Sequence, residues 1–286
     1  MHIAFLGLGA MGARMAAHLD PAALTVWNRS PGPTASFHQR GATVAMTPRE
    51  AATGADLVIA MVTDDDASRA VWTGADGALA GLAPDAVAVE SSTLTPGWVR
   101  ELAGLAEQRG ARFLDAPVSG SRPQADAASL VYLVGGDADA LAVARPAFDA
   151  IGGAVHHLGP VGQGALVKLA VNALMGVQVA AAAELLAALA ASGVDRATAA
   201  EVLGATPAAS PVAATAMRLM AAGDDDPLFP VDLLEKDLRY ALGMAAAAGV
   251  DAPAVDAARA TFARAQAAGL GDRNMTAVAR LYTDTP

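Results

Sequence analysis

Short apolar runs rich in β-forming residues recur along the first part of the chain, each separated from the next by a helix-like stretch. The runs are His2–Leu6, Leu24–Trp27, Leu57–Val62, Val87–Glu90, Arg112–Asp115, Leu130–Val134 and Val155–Leu158. They alternate little between apolar and polar, which suits strands buried on both faces of a parallel sheet covered by helices. Ala10–Leu19 and Trp98–Arg109 are two of the helical segments between them. This repetition predicts a doubly wound α/β domain. After Gly159 the pattern changes. Gly159-Pro160-Val161-Gly162 breaks the chain, and alanine-rich helical sequence follows. Breakers at Ser192-Gly193, Gly204, Pro207, Pro211, Gly223 to Pro230 and Gly249 divide that sequence into an expected five to seven helices. The reading is an α/β domain over residues 1–160 and an all-helical domain over 161–286, with no internal repeat.

Composition narrows the function. Hydrophobic residues make up 54% of the 286, charged residues 17%, and mean hydropathy is +0.37, which excludes a disordered chain. Aromatics are only 4%, too few for a base-stacking surface, and a net charge of −10 with pI near 4.8 disfavours a nucleic-acid partner. The absence of cysteine removes disulfides, thiolate metal sites and thiol nucleophiles. The start, Met-His-Ile-Ala-Phe-Leu-Gly, lacks the basic region of a signal peptide. Ala165 to Ala191 is long enough to span a bilayer, but Lys168, Asn172, Gln178 and Glu184 interrupt it. A soluble, cytoplasmic protein without a membrane partner is expected. The triplets Asp64-Asp65-Asp66 and Asp224-Asp225-Asp226 lack the ligand spacing of a calcium loop and read as solvated loop tips, so no metal site is expected.

Candidate chemistry begins at Gly7-Leu8-Gly9-Ala10-Met11-Gly12, a G-x-G-x-x-G between the first strand and a helix. The first glycine permits a tight turn and the second lets a pyrophosphate approach the backbone. The third lets helix and strand pack closely, and the helix start supplies N–H donors. At that junction the motif predicts a Rossmann-type dinucleotide-binding domain. The second strand then selects the nucleotide. It ends in Asn28, Arg29 and Ser30 rather than a carboxylate, so Arg29 can pair with a 2′-phosphate and its neighbours can donate to it. NADP(H) is therefore favoured over NAD(H).

Lys168 and Asn172 lie four residues apart, one turn along the long helix, among Ala, Leu and Val. Low-dielectric surroundings lower an ammonium's pKa towards neutrality, which suits a proton donor for carbonyl reduction. On spacing alone a snorkelling structural lysine fits as well. Asp115-Ala116-Pro117-Val118-Ser119-Gly120-Ser121 follows another strand, and its small residues would expose backbone N–H groups to a carboxylate. Glu90-Ser91-Ser92-Thr93 and Met61-Val62-Thr63 end two more strands. Each of these is also an ordinary turn when taken singly.

Together the residues resemble the β-hydroxyacid dehydrogenases, the family of 3-hydroxyisobutyrate dehydrogenase, tartronate semialdehyde reductase and the glyoxylate/succinic semialdehyde reductases. FLGLGAMG, ESSTLTP, DAPVSGS, GQGALVKLAVN and Glu235-Lys236-Asp237-Leu238 carry the likeness in order along nearly the whole chain. VWNR, PVSGS followed by Arg122, VNALMG, and Phe229-Pro230 make the NADPH-dependent glyoxylate/succinic semialdehyde reductase branch most similar. The resemblance implies a dinucleotide-binding domain joined to an all-helical domain by the long helix, assembled as a homodimer or homotetramer. It implies Lys168 as general acid, with Asn172 beside the reacting oxygen. Ser119 and Gly120 would grip a substrate carboxylate. Thr93 would sit by the nicotinamide, with Val62 and Thr63 along the cofactor and Lys236 near it. Phe229 and Asp237 would close the substrate pocket.

The chain also departs from the family pattern. Ala173 follows Asn172, Ser121 follows Gly120, Pro123 and Ala128 stand where glycine is common, and Pro31-Gly32-Pro33 replaces a usual lysine. These departures keep NAD(H) open and bear on the substrate more than on the chemistry. The expected reaction is hydride transfer to a small aldehyde acid, or its reverse from a hydroxy acid. Alternatives are 3-hydroxyisobutyrate dehydrogenase or tartronate semialdehyde reductase activity, imine reduction, and a non-enzymatic NADP-binding structural or sensor role. Imine reductases generally lack the lysine present here at 168.

Overall fold

The computed structural model describes residues 1–282, and residues 283–286 of the expected helical domain lie outside that description. The chain runs β1 (Ile3–Leu6), α1 (Gly12–Ala16), β2 (Leu24–Trp27), α2 (Thr34–Gln39), β3 (Thr43–Val44), α3 (Pro48–Ala52), β4 (Leu57–Ala60), α4 (Asp65–Thr73), β5 (Val87–Glu90) and α5 (Pro96–Glu107). It continues through β6 (Arg112–Asp115), β7 (Val118–Ser119), α6 (Arg122–Asp126), β8 (Leu130–Gly136), α7 (Ala138–Ile151) and β9 (Gly152–Gly159). Five α-helices follow: α8 (Gln163–Ala191), α9 (Arg196–Gly204), α10 (Pro211–Ala222), α11 (Val231–Ala247) and α12 (Pro253–Ala267). A 3₁₀ stretch, Met275–Tyr282, closes the described chain. The residues group into two compact units that meet within α8, one through Lys168 and one from Leu169.

In the first unit the strands lie in the order β3-β2-β1-β4-β5-β6-β8-β7, with β9 beside β8. Their residues alternate between two apolar layers. Ile3, Phe5, Leu57, Ile59, Val87 and Val89 enter one core, while Ala4, Leu6, Val58, Ala60 and Ala88 enter the other. Both faces are buried, so no polar alternation is left to see. The parallel pairing expected from the sequence runs unbroken to β6 and returns between β8 and β9. Beyond β6, β8 pairs antiparallel with both β6 and β7. The capped helix α6 turns the chain back between β7 and β8, where no long crossover intervenes. The two-residue strands β3 and β7 are too short to stand out as apolar runs.

The acidic triplets are only in part the solvated tips expected: Asp66, Asp224 and Asp226 are exposed, while the other three are engaged. Asp64 caps α4 by accepting the Ala67 N–H at 2.8 Å, and Asp65 accepts from Thr95 N and Oγ1 at 2.9 and 2.5 Å. Asp225 is 5% exposed and ion-paired with Arg273 and Arg280. Folding turned these three acids into caps and pairs, because helix starts and neighbouring arginines lie beside them.

In the second unit α8 supplies Leu169, Ala173, Val179, Ala180, Ala183 and Leu186 to a core shared with α9 to α12. Its small residues allow close approach: a Cβ added at Gly176 would come within 3.0 Å of Leu238 on α11. The helix is long and apolar enough to cross a membrane by length and composition, yet its inner face belongs to this core. Val171, Leu174 and Leu185 on α8 are exposed.

Candidate functional site

The glycine loop leaves β1 at the C-terminal edge of the sheet. Gly7 takes φ +96°, where a Cβ would lie 2.3 Å from the Met61 carbonyl oxygen, and a Cβ on Gly12 would meet the Gly7 carbonyl at 2.0 Å. Both glycines are therefore demanded by the fold itself. Gly9 differs. A Cβ there would touch nothing within 4 Å, and its φ is unexceptional, so its missing side chain leaves open space above the loop. That space is what a pyrophosphate needs to reach backbone N–H groups, and the residues present fit a dinucleotide.

Asn28 ties the loop to the nucleotide-selecting turn. Its Oδ1 accepts the Leu8 N–H at 2.8 Å and its Nδ2 donates to the Ser30 carbonyl at 2.8 Å. The carboxamide thus shapes both segments, and Arg29 and Ser30 remain exposed beside it. Leu8 is buried, Met11 half-buried, and Ala10 exposed. Val62 is half-buried and donates its N–H to Ser92 Oγ at 2.8 Å, while Thr63 is exposed and Thr93 half-buried.

Ser119 lies half-buried in β7, paired with Val131 across an antiparallel ladder. The motif does open where the parallel strand β6 ends, as its sequence suggested, but Ser119 itself sits in an antiparallel pair. The Ser121 N–H is also already taken, donating to Gln124 Oε1 at 3.0 Å within a capping box. Gly120 has φ +127°, and a Cβ there would come within 2.8 Å of Leu130, which accounts for the glycine.

Lys168 is 8% exposed on the first turns of α8. Asn172, 2% exposed, follows one turn later and donates from Nδ2 to Asp237 Oδ2 at 2.6 Å. Asp237 is itself 1% exposed and receives the ammonium of Lys236 at 3.1 Å on Oδ1. Lys236 also lies over the Tyr240 ring, 5.1 Å from its centroid. Within the helical unit, then, Asn172, Lys236 and Asp237 come together as one buried network. Phe229 packs at the rim of the same core.

Two acids matter more than their sequence positions indicated. Asp115 accepts N–H donors from Gly162 and Ala165 at 2.8 Å each, so it caps the start of α8, one turn before Lys168. Burial pushes its carboxyl up to about 6 against the pull of those donors. Glu90 is fully buried, and burial raises its pKa as well, opposed by hydrogen bonds from Ser68, Ser92 and Trp72. The two are direct register partners on β5 and β6. The visible signal was an acid ending an otherwise buried strand, in VAVE and in RFLD. Among the described residues no group of three or more His, Asp or Glu could hold a metal ion.

Known proteins match the chain along nearly its whole length. Residues 2–159 match the family model of the NAD-binding domain of 6-phosphogluconate dehydrogenase. Residues 162–282 match the NAD-binding domain of NADP-dependent 3-hydroxyisobutyrate dehydrogenase. The NAD-dependent L-serine dehydrogenase of Pseudomonas aeruginosa is 40% identical over 187 residues, 65% of this chain and 63% of that protein. Human cytokine-like nuclear factor N-PAC is 34% identical over 98% of the chain, which spans about half, 51%, of that protein. The chloroplastic glyoxylate/succinic semialdehyde reductase 2 of Arabidopsis thaliana is 33% identical over 96% of this chain and 78% of its own. A solved structure of Mycobacterium tuberculosis 3-hydroxyisobutyrate dehydrogenase with L-serine superposes with a TM-score of 0.88 at 32% identity, covering 98% and 99% of the two chains.

Proposed function

Because this chain belongs to the β-hydroxyacid dehydrogenase family of NAD(P)-dependent oxidoreductases acting on CH–OH donors, we propose that it reduces a small aldehyde acid with NADPH. The substrate is of the glyoxylate or succinic semialdehyde type, the product is the hydroxy acid, and Lys168 is the general acid. The observation that carries this reading is Lys168 itself, an ammonium-bearing side chain only 8% exposed. One turn on, Asn172 has its carboxamide orientation set by buried Asp237.

Bound NADPH would supply the hydride, and the chain's own residues do the remaining work. Gly9 leaves room for the pyrophosphate against the loop, and Arg29 and Ser30 present charge and hydroxyl to a 2′-phosphate. The Ser119 hydroxyl and Gly120 backbone hold the substrate carboxylate. Lys168 Nζ gives its proton to the carbonyl oxygen as negative charge develops there, and the resulting amine regains a proton from solvent. Asn172 orients the reacting oxygen, Phe229 and Asp237 serve substrate binding, and Lys236 serves the nucleotide. Exposed Val171, Leu174 and Leu185 on α8 support self-association as a homodimer or homotetramer.

The likeness to the L-serine dehydrogenase favours a second reading, oxidation of a β-hydroxy acid with NAD⁺. A panel of short aldehyde acids and hydroxy acids, each assayed with both nucleotides, separates the two. Turnover of an aldehyde acid with NADPH above all other pairs is expected. A preference for hydroxy acid and NAD⁺ would replace the first reading with the second. Tight nucleotide binding with no turnover across the panel would favour a binding protein.

A further inference from the structure

Glu90 stands at the last position of β5 with no exposed surface. Its Oε2 accepts the Ser68 hydroxyl at 2.6 Å and the Trp72 indole N–H at 2.9 Å, and its Oε1 accepts the Ser92 N–H at 3.0 Å. Ser68 Oγ in turn receives the Trp98 indole N–H at 2.9 Å. On the other side, Ser92 Oγ accepts the Val62 N–H at 2.8 Å. The acid thus has two arms. One runs into the helix layer through Ser68, Trp72 and Trp98. The other runs through Ser92 to the chain that leaves β4, next to Thr63, and to the chain that leaves β5, next to Thr93.

We propose that Glu90 is a positioning residue for the nicotinamide nucleotide. Through Ser92 it holds the ends of β4 and β5, with Val62, Thr63 and Thr93, in the conformation that receives the cofactor. The inference rests on the nucleotide-binding reading above and assigns a role to residues outside that set. Three donors converge on this side chain, and only a carboxylate can accept from all of them. A glutamine would turn two N–H groups towards donors already in place. A carboxylate kept among neutral donors in a dry layer is costly, so apolar packing alone does not account for it. Its neighbours explain the cost, because strand ends have no ladder partner beyond the sheet and their N–H groups need another anchor.

The two arms allow a test that separates positioning from stability alone. Ser92→Ala removes the hydroxyl that holds the Val62 N–H while the Ser92 N–H stays on Glu90, Ser68→Ala removes one helix-layer donor while Trp72 stays, and Glu90→Gln disturbs both arms. Thermal unfolding is measured for each, alongside calorimetric titration with NADP⁺ and with NAD⁺. Ser92→Ala and Glu90→Gln are expected to weaken nucleotide binding roughly tenfold, the scale of one buried hydrogen bond. Ser68→Ala is expected to lower Tm comparably while leaving Kd within about twofold of wild type, well below that tenfold step. Wild-type affinity in Ser92→Ala, or equal losses of affinity in Ser92→Ala and Ser68→Ala, would overturn the assignment. If Glu90→Gln does not fold, the serine pair still decides. Wild-type protein that binds neither nucleotide would instead overturn the nucleotide reading, and this role with it.

Discussion

The two units satisfy their buried charges in opposite ways. In the α/β unit the carboxylates Glu90 and Asp115 are met by neutral donors, indole, hydroxyl and backbone N–H, at the ends of strands. In the helical unit Asp237 is met by the ammonium of Lys236, and Asp225 by the guanidiniums of Arg273 and Arg280. The difference follows from what each architecture leaves unpaired. Strand ends and helix starts offer N–H groups without partners, and an acid fits there. Helix flanks offer only side chains, so an acid buried between helices needs a cation. A neutral-donor site responds to proton uptake, whereas an ion-paired site fails when one partner is removed.

The sharpest break of this pattern is Lys168, a buried cation in a unit whose other buried charges are carboxylates. Lys168→Ala should lower kcat by roughly 10²–10⁴, the scale of general acid catalysis, with nucleotide Kd unchanged. Steady-state kinetics with parallel calorimetry check it, and full activity would remove Lys168 from the chemistry. In the helical unit, Asp237→Ala leaves Lys236 and the Asn172 carboxamide without their buried acceptor. A loss of about 3–5 kcal/mol in unfolding free energy is expected, read from urea titration. A loss near zero would show the pair hydrated rather than buried.

The neutral-donor sites should reveal themselves through pH. Asp115 has its pKa raised from 3.8 to about 6, so between those values the folded chain binds more protons than the unfolded one. Stability therefore falls as pH rises from 4 to 6, by roughly 2–3 kcal/mol for this group, and Glu90 adds to the same slope. Unfolding measured across pH 4–7 should show that decline, and Asp115→Asn should remove the part that Asp115 contributes. The smallest effect concerns nucleotide choice. Arg29 is exposed, so Arg29→Ala should cost about tenfold in NADPH affinity and leave NADH nearly unchanged. Equal losses for both nucleotides would separate Arg29 from the 2′-phosphate.

Much of this architecture was legible because its signals are local. Leu24–Trp27, Val87–Glu90 and Arg112–Asp115 are strands as read, since a run buried on both faces carries its burial in its own composition. Gly12 was legible for the same reason, as it answers a clash with Gly7 about one turn back, and Gly7 by its place at the strand-to-helix turn, although the carbonyl it avoids belongs to distant Met61. What escaped depends on distant partners. Asp115 meets donors at Gly162 and Ala165, and Asp225 meets arginines at 273 and 280, far along the sequence. The reversal of β8 likewise depends on which edge receives it, which no run of residues records.

The amino-acid sequence by itself determined the alternation of strand and helix, the change to helices after Gly159, and the residue types gathered for nucleotide and substrate. Those properties follow from periodicity, backbone freedom and side-chain chemistry, all written within a few residues. Tertiary structure alone decided that Glu90 anchors two strand ends, that Asp115 caps the helix carrying Lys168, and that Asp237 orients Asn172. Each of those roles requires a donor or cation brought from elsewhere in the chain, and only folding supplies it.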